Sequence, residues 1–352
     1  MFGRDVQIAV IGAGATGGII AGFIARAGYN VEVVCKHQEL ADKIKSGELH
    51  IFGRKGDHRV SIPAVAKISE LSGPKDIFLL TVKAADVLNA ARESLPFVPS
   101  NSLIVPMENG MGDDALAEIF PREQIVGCVI DWGATMHSLG ELEMTATGKF
   151  AIGYTNNEPD QRLLQLKKIL STVLPVEISE NIRGRKYYKL VVNSCINSIG
   201  AICGLHLGEM FSIKKIRSIF AEIMHEAVAV ADALGIKPES LSGKIDYRKF
   251  LQGSGFFDNF TRRLIIYAIN VKYNRLKSSS LQSLERGKPT EIDYLNGYIA
   301  ENGKKYKIPT PVNDKIVQMV KEIEAGRRKI ALENLNDPFF TRFEYKKAPL
   351  LM

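Results

Sequence analysis

Two stretches of this sequence carry residue types at spacings that chemistry can use. The first is Gly12-Ala13-Gly14-Ala15-Thr16-Gly17. The first glycine of such a turn permits a tight bend, the second lets backbone approach a pyrophosphate, and the third lets helix and strand pack closely. The helix that follows offers free N–H groups and the positive end of its dipole to phosphate. The second stretch is Lys189, Asn193 and Asn197, spaced i, i+4, i+8 among Leu190, Val191, Val192, Cys195 and Ile196. On a helix the three polar residues form one stripe, drifting about 40° per step. A largely buried lysine and two buried amides need partners. A polar ligand supplies them; an internal amide network closing a helix bundle is the alternative. Partial burial also lowers a lysine's pKa and makes it a usable proton donor.

These residues need elements to hold them. Val6–Ile11 is an apolar run bounded by glycines, like a buried parallel strand. Gly17–Ala27 is helix-compatible and stops at Gly28, and Val31–Cys35 reads as a second strand. This strand–turn–helix–strand context separates a dinucleotide turn from a merely structural glycine turn. Leu49–Phe52 with Arg59–Ile62 reads as a hairpin or meander. Ile77–Val82 and Leu103–Met107 read as buried strands flanking a helix over Ala84–Leu95, and Ile125–Ile130, Leu142–Thr145 and Phe150–Tyr154 close this half. The rhythm predicts an α/β fold, a Rossmann-like doubly wound and mostly parallel sheet over residues 1–180. Beyond it the period becomes helical, with helices expected at Lys186–Ala201, Ile216–Leu234, Phe260–Lys272, Glu291–Asn302 and Val312–Ala325. An all-helical substrate domain is therefore expected over 181–336, followed by a polar, aromatic tail over 337–352.

Strand ends face the ligand crevice of such sheets. The second strand runs into Lys36, where NAD-binding sites usually carry an acid. A cation there suits a 2′-phosphate and favours NADPH; a solvated surface lysine is the alternative. Glu32 lies within the strand, too early to reach the ribose. Lys83 and Asn109 follow two further strands. They read equally as cleft residues for phosphate, ribose or substrate, or as a surface lysine and an Asn-Gly turn. Pro289-Thr290-Glu291 looks like a helix start, with Thr290 as cap and Glu291 in the first turn.

Composition sets the outer limits. The 352 residues suit two domains, and 45% hydrophobic with 24% charged residues is an ordinary globular balance. The net charge of +7 is spread without a Lys/Arg run interleaved with aromatics, which argues against nucleic acid and for a cleft attracting small anions. No apolar run reaches about 18 residues, so no membrane span is expected, and no signal-peptide pattern precedes the first strand. Cys35, Cys128, Cys195 and Cys203 lie in apolar segments without C-x-x-C spacing, as expected of free thiols in the cytoplasm. No cluster has metal-ligand spacing.

In chain order GAGATG, VKAADV, ENGMG, KLVVNSCINS, SSSLQS and PTEIDYLNG resemble the 2-dehydropantoate 2-reductase, or ketopantoate reductase, family across nearly the whole chain. The resemblance implies NADPH-dependent reduction of a small 2-keto acid to pantoate, serving pantothenate and coenzyme A synthesis, in a protein that is a candidate homodimer. It implies Lys189 as proton donor to the ketone, Asn193 and Asn197 as substrate holders, and Ser279 at the substrate carboxylate. Glu291 is implied near nicotinamide and substrate hydroxyl, and Lys83 and Asn109 in the cleft. Chain order also places 6-phosphogluconate-dehydrogenase-like helical domains nearby by analogy. Two positions depart from the family. Glu108 stands where several relatives have His or Gln, and Leu207 stands where some carry a polar substrate contact. A paralogue acting on another branched 2-keto or 2-imino acid is the runner-up, and a non-catalytic NADP(H)-binding regulator is a third reading.

Overall fold

The computed structural model describes residues 5–155, 159–240 and 277–341. Two compact units divide at Lys186 and Tyr187. The first contains β1 (Gln7–Ile11), α1 (Ala15–Arg26), β2 (Asn30–Val34), α2 (Gln38–Lys45), β3 (Leu49–Gly53), β4 (His58–Val60), β5 (Ala64–Val65), β6 (Ile77–Leu80), α3 (Val87–Ser94), β7 (Leu103–Pro106), α4 (Asp113–Leu116), β8 (Val126–Ile130), β9 (Gly133–Ser138), β10 (Glu141–Ala146), β11 (Phe150–Tyr154), α5 (Gln161–Leu170) and β12 (Val176–Ile178).

Five of these strands form one parallel sheet in the order β5-β2-β1-β6-β7. Its strands are buried on both faces because successive side chains serve two cores. Ile8, Val10, Ile77 and Leu79 point into one, and Ala9, Ile11, Phe78 and Leu80 into the other. Two further sheets accompany it, β4-β3-β10-β9 and β12-β11-β8. The β3–β4 pair is antiparallel, as a hairpin reading requires, but β3 also pairs in parallel with β10. Helix α1 packs against this second sheet through glycines. A Cβ on Gly18 would overlap Leu142, and one on Gly22 would overlap Ile51.

The second unit is helical throughout its described residues. It takes most of α6 (Ile182–Cys203), then α7 (Leu207–Ser212), α8 (Lys214–Ala233), α9 (Ser279–Glu285), α10 (Asn296–Tyr306), α11 (Pro311–Glu324) and α12 (Pro338–Thr341). Its core joins Ile199, Ile202 and Leu207 to Ile216, Phe220, Ile316 and Val320. The helix expected at Phe260–Lys272 and most of the tail lie outside the described residues. The helix expected over Glu291–Asn302 is interrupted. A single 3-10 turn covers Ile292–Tyr294, then Leu295 breaks away at φ −109°, ψ −96° before α10 begins. Among the described residues no helix is long and apolar enough to cross a membrane.

Candidate active site

In the first unit the parallel register brings the strand-end residues to one edge. Ile11 pairs with Val34 and Leu80, and Leu80 pairs with Pro106, so Gly12, Lys36, Lys83 and Asn109 all follow the same end of the sheet. The glycine turn is built as its residue types require. Gly12 has φ +109°, and a side chain there would press on Val82 at 3.0 Å. A Cβ on Gly17 would overlap the Gly12 carbonyl oxygen and the Thr81 hydroxyl. That hydroxyl lies 2.7 Å from the Gly12 carbonyl and 3.0 Å from that of Ile11, to which it donates, tying the turn to the end of β6. Gly14 differs: a Cβ there meets nothing within 4 Å, and its own surface is exposed. Ala13 is buried, while Ala15 and Thr16 are half-buried in the first turn of α1. No side chain caps that turn and no acid lies in it. An exposed glycine cradle ahead of uncapped N–H groups fits a dinucleotide pyrophosphate.

Around this turn the polar residues separate into two kinds. Lys36 and Lys83 are exposed and Asn109 is half-buried. Glu32 is buried and committed elsewhere: it pairs with Lys75 at 2.8 Å and accepts from the Ser72 backbone N–H and hydroxyl. Burial pushes its pKa up, but the Lys75 and Ser72 contacts outweigh this and hold it below the usual range. It is a structural carboxylate.

Glu108 also turns inward. Its Oε1 lies 3.5 Å from the Lys186 ammonium and accepts from the Gly112 N–H, while Lys186 meets Asp113 at 2.6 Å. All three side chains are at most 5% exposed. Burial and the neighbouring Glu108 charge raise the Asp113 pKa against the pull of Lys186. Burial alone would lower Lys186, but the two carboxylates hold it protonated, above the usual lysine range. The triad fastens the Asn109 loop and α4 to the first turns of α6. Lys186 and Asp113 are not legible in the sequence as a site. The one signal is Glu108 itself, which the family resemblance marks as a departure.

In the second unit Lys189, Asn193 and Asn197 occupy successive turns of α6, which is unbroken. Lys189 and Asn193 are half-buried and Asn197 is buried. Their helix is anchored by the Tyr187 hydroxyl, which donates to the Ala227 carbonyl at 2.6 Å. Close to the third stripe residue, Gly200 lacks the Cβ that would overlap Ser278, so α9 begins against α6 there. Ser278 caps α9 by accepting from the Leu281 N–H and is buried with Ser280, whereas Ser279 is exposed.

Glu291 is half-buried at the start of the 3-10 turn. Thr290 accepts from the Ile292 N–H but donates its own hydroxyl to Glu324. Asn296, fully buried, donates to the Ser194 carbonyl at 3.2 Å and to Asn313 at 2.9 Å. Asn313 in turn donates to Glu226, whose carboxylate also accepts the Val312 and Asn313 N–H groups. Leu207, the other departure, is the buried first residue of α7 within the helical core. The four cysteines are buried free thiols. Among the described residues no three His, Cys, Asp or Glu side chains are grouped to hold a metal ion.

Known proteins match this chain over most of its length. Residues 8–157 match the family model described as ketopantoate reductase PanE/ApbA, and residues 181–324 match its C-terminal companion. The 2-dehydropantoate 2-reductase of Archaeoglobus fulgidus is 27% identical over 92% of this chain and 99% of its own. A crystal structure of a PanE/ApbA family ketopantoate reductase from Ralstonia eutropha superposes with a TM-score of 0.78 at 27% identity, covering 92% of this chain and 99% of that one. A D-mandelate dehydrogenase, solved with NADH and anilino(oxo)acetate, shares the fold with a TM-score of 0.77 at 22% identity over 92% and 99%.

Proposed function

The chain belongs to the ketopantoate reductase family, whose members are NAD(P)-dependent oxidoreductases, and from that premise we propose that it reduces 2-dehydropantoate to pantoate with NADPH. The observation that carries this reading is the intact Lys189, Asn193 and Asn197 stripe on one unbroken helix. The open Gly14 cradle supports the cofactor side. Gly12, Ala13, Gly14, Ala15, Thr16 and Gly17 hold the pyrophosphate, Lys36 meets the 2′-phosphate, and Lys83 and Asn109 take the nicotinamide end. Bound NADPH supplies the hydride to the substrate C2. Negative charge then gathers on the ketone oxygen, and the Lys189 ammonium donates its proton there. Asn193, Asn197 and Ser279 orient the keto acid, Ser279 at its carboxylate, and Glu291 accepts from its hydroxyl.

The test follows loss of reduced-nicotinamide absorbance with 2-ketopantoate, using NADPH and NADH in parallel and other branched 2-keto acids as competitors. Efficient turnover of ketopantoate with NADPH is expected. Activity on another keto acid alone replaces the substrate. Bound NADPH with no turnover on any of them leaves a regulator. A second substrate reading is another branched 2-keto or 2-imino acid, because the family resemblance puts Leu207 where some relatives carry a polar substrate contact.

A further inference from the structure

The carboxylate of Glu291 sits on a segment whose fastening involves a residue outside every motif quoted above. Glu324 is the last residue of α11. A carboxylate at a helix C-terminus is opposed by the helix dipole, so it stabilises the fold only through other contacts. Here its Oε1 accepts both the Thr290 backbone N–H and the Thr290 hydroxyl, each at 2.7 Å. The same hydroxyl oxygen accepts from the Ile292 N–H at 3.2 Å. The residues before and after Glu291 are thereby tied to one carboxylate. One turn earlier on α11, Lys321 bridges Glu324 at 3.5 Å and Asp293 at 2.5 Å. The Glu324 side chain is only 13% exposed, which strengthens its bonds relative to a surface contact. Ile292 is buried, leaving Glu291 little freedom to turn with its neighbours. The far end is fixed separately by Asn296, through Asn313 to Glu226 and directly to the Ser194 carbonyl of α6.

We propose that Glu324 is a positioning residue for Glu291: by holding Thr290 through two bonds it sets where the Glu291 carboxylate is presented. This rests on the reading of Glu291 as a substrate-facing residue. A displacement of about 1 Å in such a group is enough to cost on the order of 10²-fold in rate.

The experiment is a set of full-length variants assayed with NADPH and 2-ketopantoate, with melting temperature and NADPH Kd measured beside the kinetics. Glu324→Ala is expected to lower kcat/KM about tenfold or more with NADPH Kd unchanged, and Glu324→Gln, which keeps the acceptor, to restore most of it. Thr290→Val should reproduce Glu324→Ala, and Thr290→Ser should not. The double variant Glu291→Gln/Glu324→Ala should be no slower than Glu291→Gln alone, because Glu324 acts through Glu291. Wild-type kinetics in Glu324→Ala, or losses that multiply in the double variant, overturn the proposal. So does a lowered melting temperature with normal turnover per folded enzyme. If Glu291→Gln itself turns over like wild type, the role of Glu291 falls and the proposal with it. That outcome is visible in the single variant before Glu324 is touched.

Discussion

Removing the Lys186 ammonium tests the buried triad most directly. Lys186→Met keeps the length and apolar stem of the side chain and deletes its charge. Asp113 and Glu108 then face one another at no more than 5% exposure, with no cation between them. Breaking a buried ion pair by removing one partner costs about 3–5 kcal/mol. At about 2–4 °C per kcal/mol for a body of this size, the melting temperature should fall by roughly 6–20 °C. Glu108→Gln is the counterpart. It leaves a carbonyl oxygen for the Gly112 N–H and matches one ammonium to one carboxylate, so a change within about 1 kcal/mol is expected. The pH dependence has a defined sign. The Asp113 pKa is raised on folding, so its contribution is full below the unfolded value of 3.8 and is lost as pH rises through the folded pKa. Without Lys186 the charge that most draws that pKa down is gone and only a backbone hydrogen bond still lowers it, so the loss extends to higher pH. The deficit of Lys186→Met should therefore be greatest at neutral and alkaline pH and shrink in acid. Thermal melts of the three proteins across that range decide it. Wild-type stability in Lys186→Met, or equal losses in Glu108→Gln and Lys186→Met, would refute the reasoning.

The remaining expectations concern the proposed site and one half-buried histidine. Lys189→Ala should lower kcat by about 10²-fold or more while NADPH affinity, measured by fluorescence titration, stays near wild type. Gly14→Ala should melt within about 1 kcal/mol of wild type, since its Cβ enters open space, yet weaken NADPH at least about tenfold by occupying the cradle. Gly17→Ala should lose both stability and binding, because its Cβ meets the Gly12 carbonyl and Thr81. Lys36→Ala should raise the Kd for NADPH by about tenfold and leave that for NADH nearly unchanged, read by parallel titrations. His50 is held above its ordinary 6.5 chiefly by its bond to Glu141, with Asp57 adding to it against partial burial. Its stabilisation is full below that value and lost as pH rises through the folded pKa, so melts of His50→Gln and wild type should converge in alkali.

Much of this architecture can be read from residue order. The glycine turn, the parallel strands from Ile8 to Pro106 and the α6 stripe all announce themselves through local period and residue type. What cannot be read depends on contacts distant in sequence. Strand β9 carries no alternation that a single strand would need, because its register is set by pairing with β10. Strand β12 is three residues long and exists through β11. Thr290 is readable as a helix cap, but its hydroxyl is drawn to Glu324 and Leu295 breaks the backbone, so a single 3-10 turn rather than an α-helix starts there. Glu108 stands out only as a departure. Its partner Lys186 sits 78 positions away, and neither period nor spacing links the two. Ser278, Ser279 and Ser280 look equivalent in sequence, and only the approach of α9 to Gly200 decides which faces outward.

Helix α1 has a consequence for how the first unit assembles. Gly17, Gly18 and Gly22 stand within its twelve residues. Each glycine disfavours an isolated helix by about 1 kcal/mol relative to alanine, so the segment has little tendency to coil by itself. Its glycines are the price of close approach on two sides, to Thr81 and the Gly12 carbonyl through Gly17 and to Ile51 and Leu142 through the other two. The helix whose N–H groups are proposed to meet phosphate is therefore expected to gain order only once strands as distant as β1 and β10 have met. Acquisition of dinucleotide affinity during refolding should then trail the formation of most secondary structure, making ligand binding a late reporter of native packing in this unit.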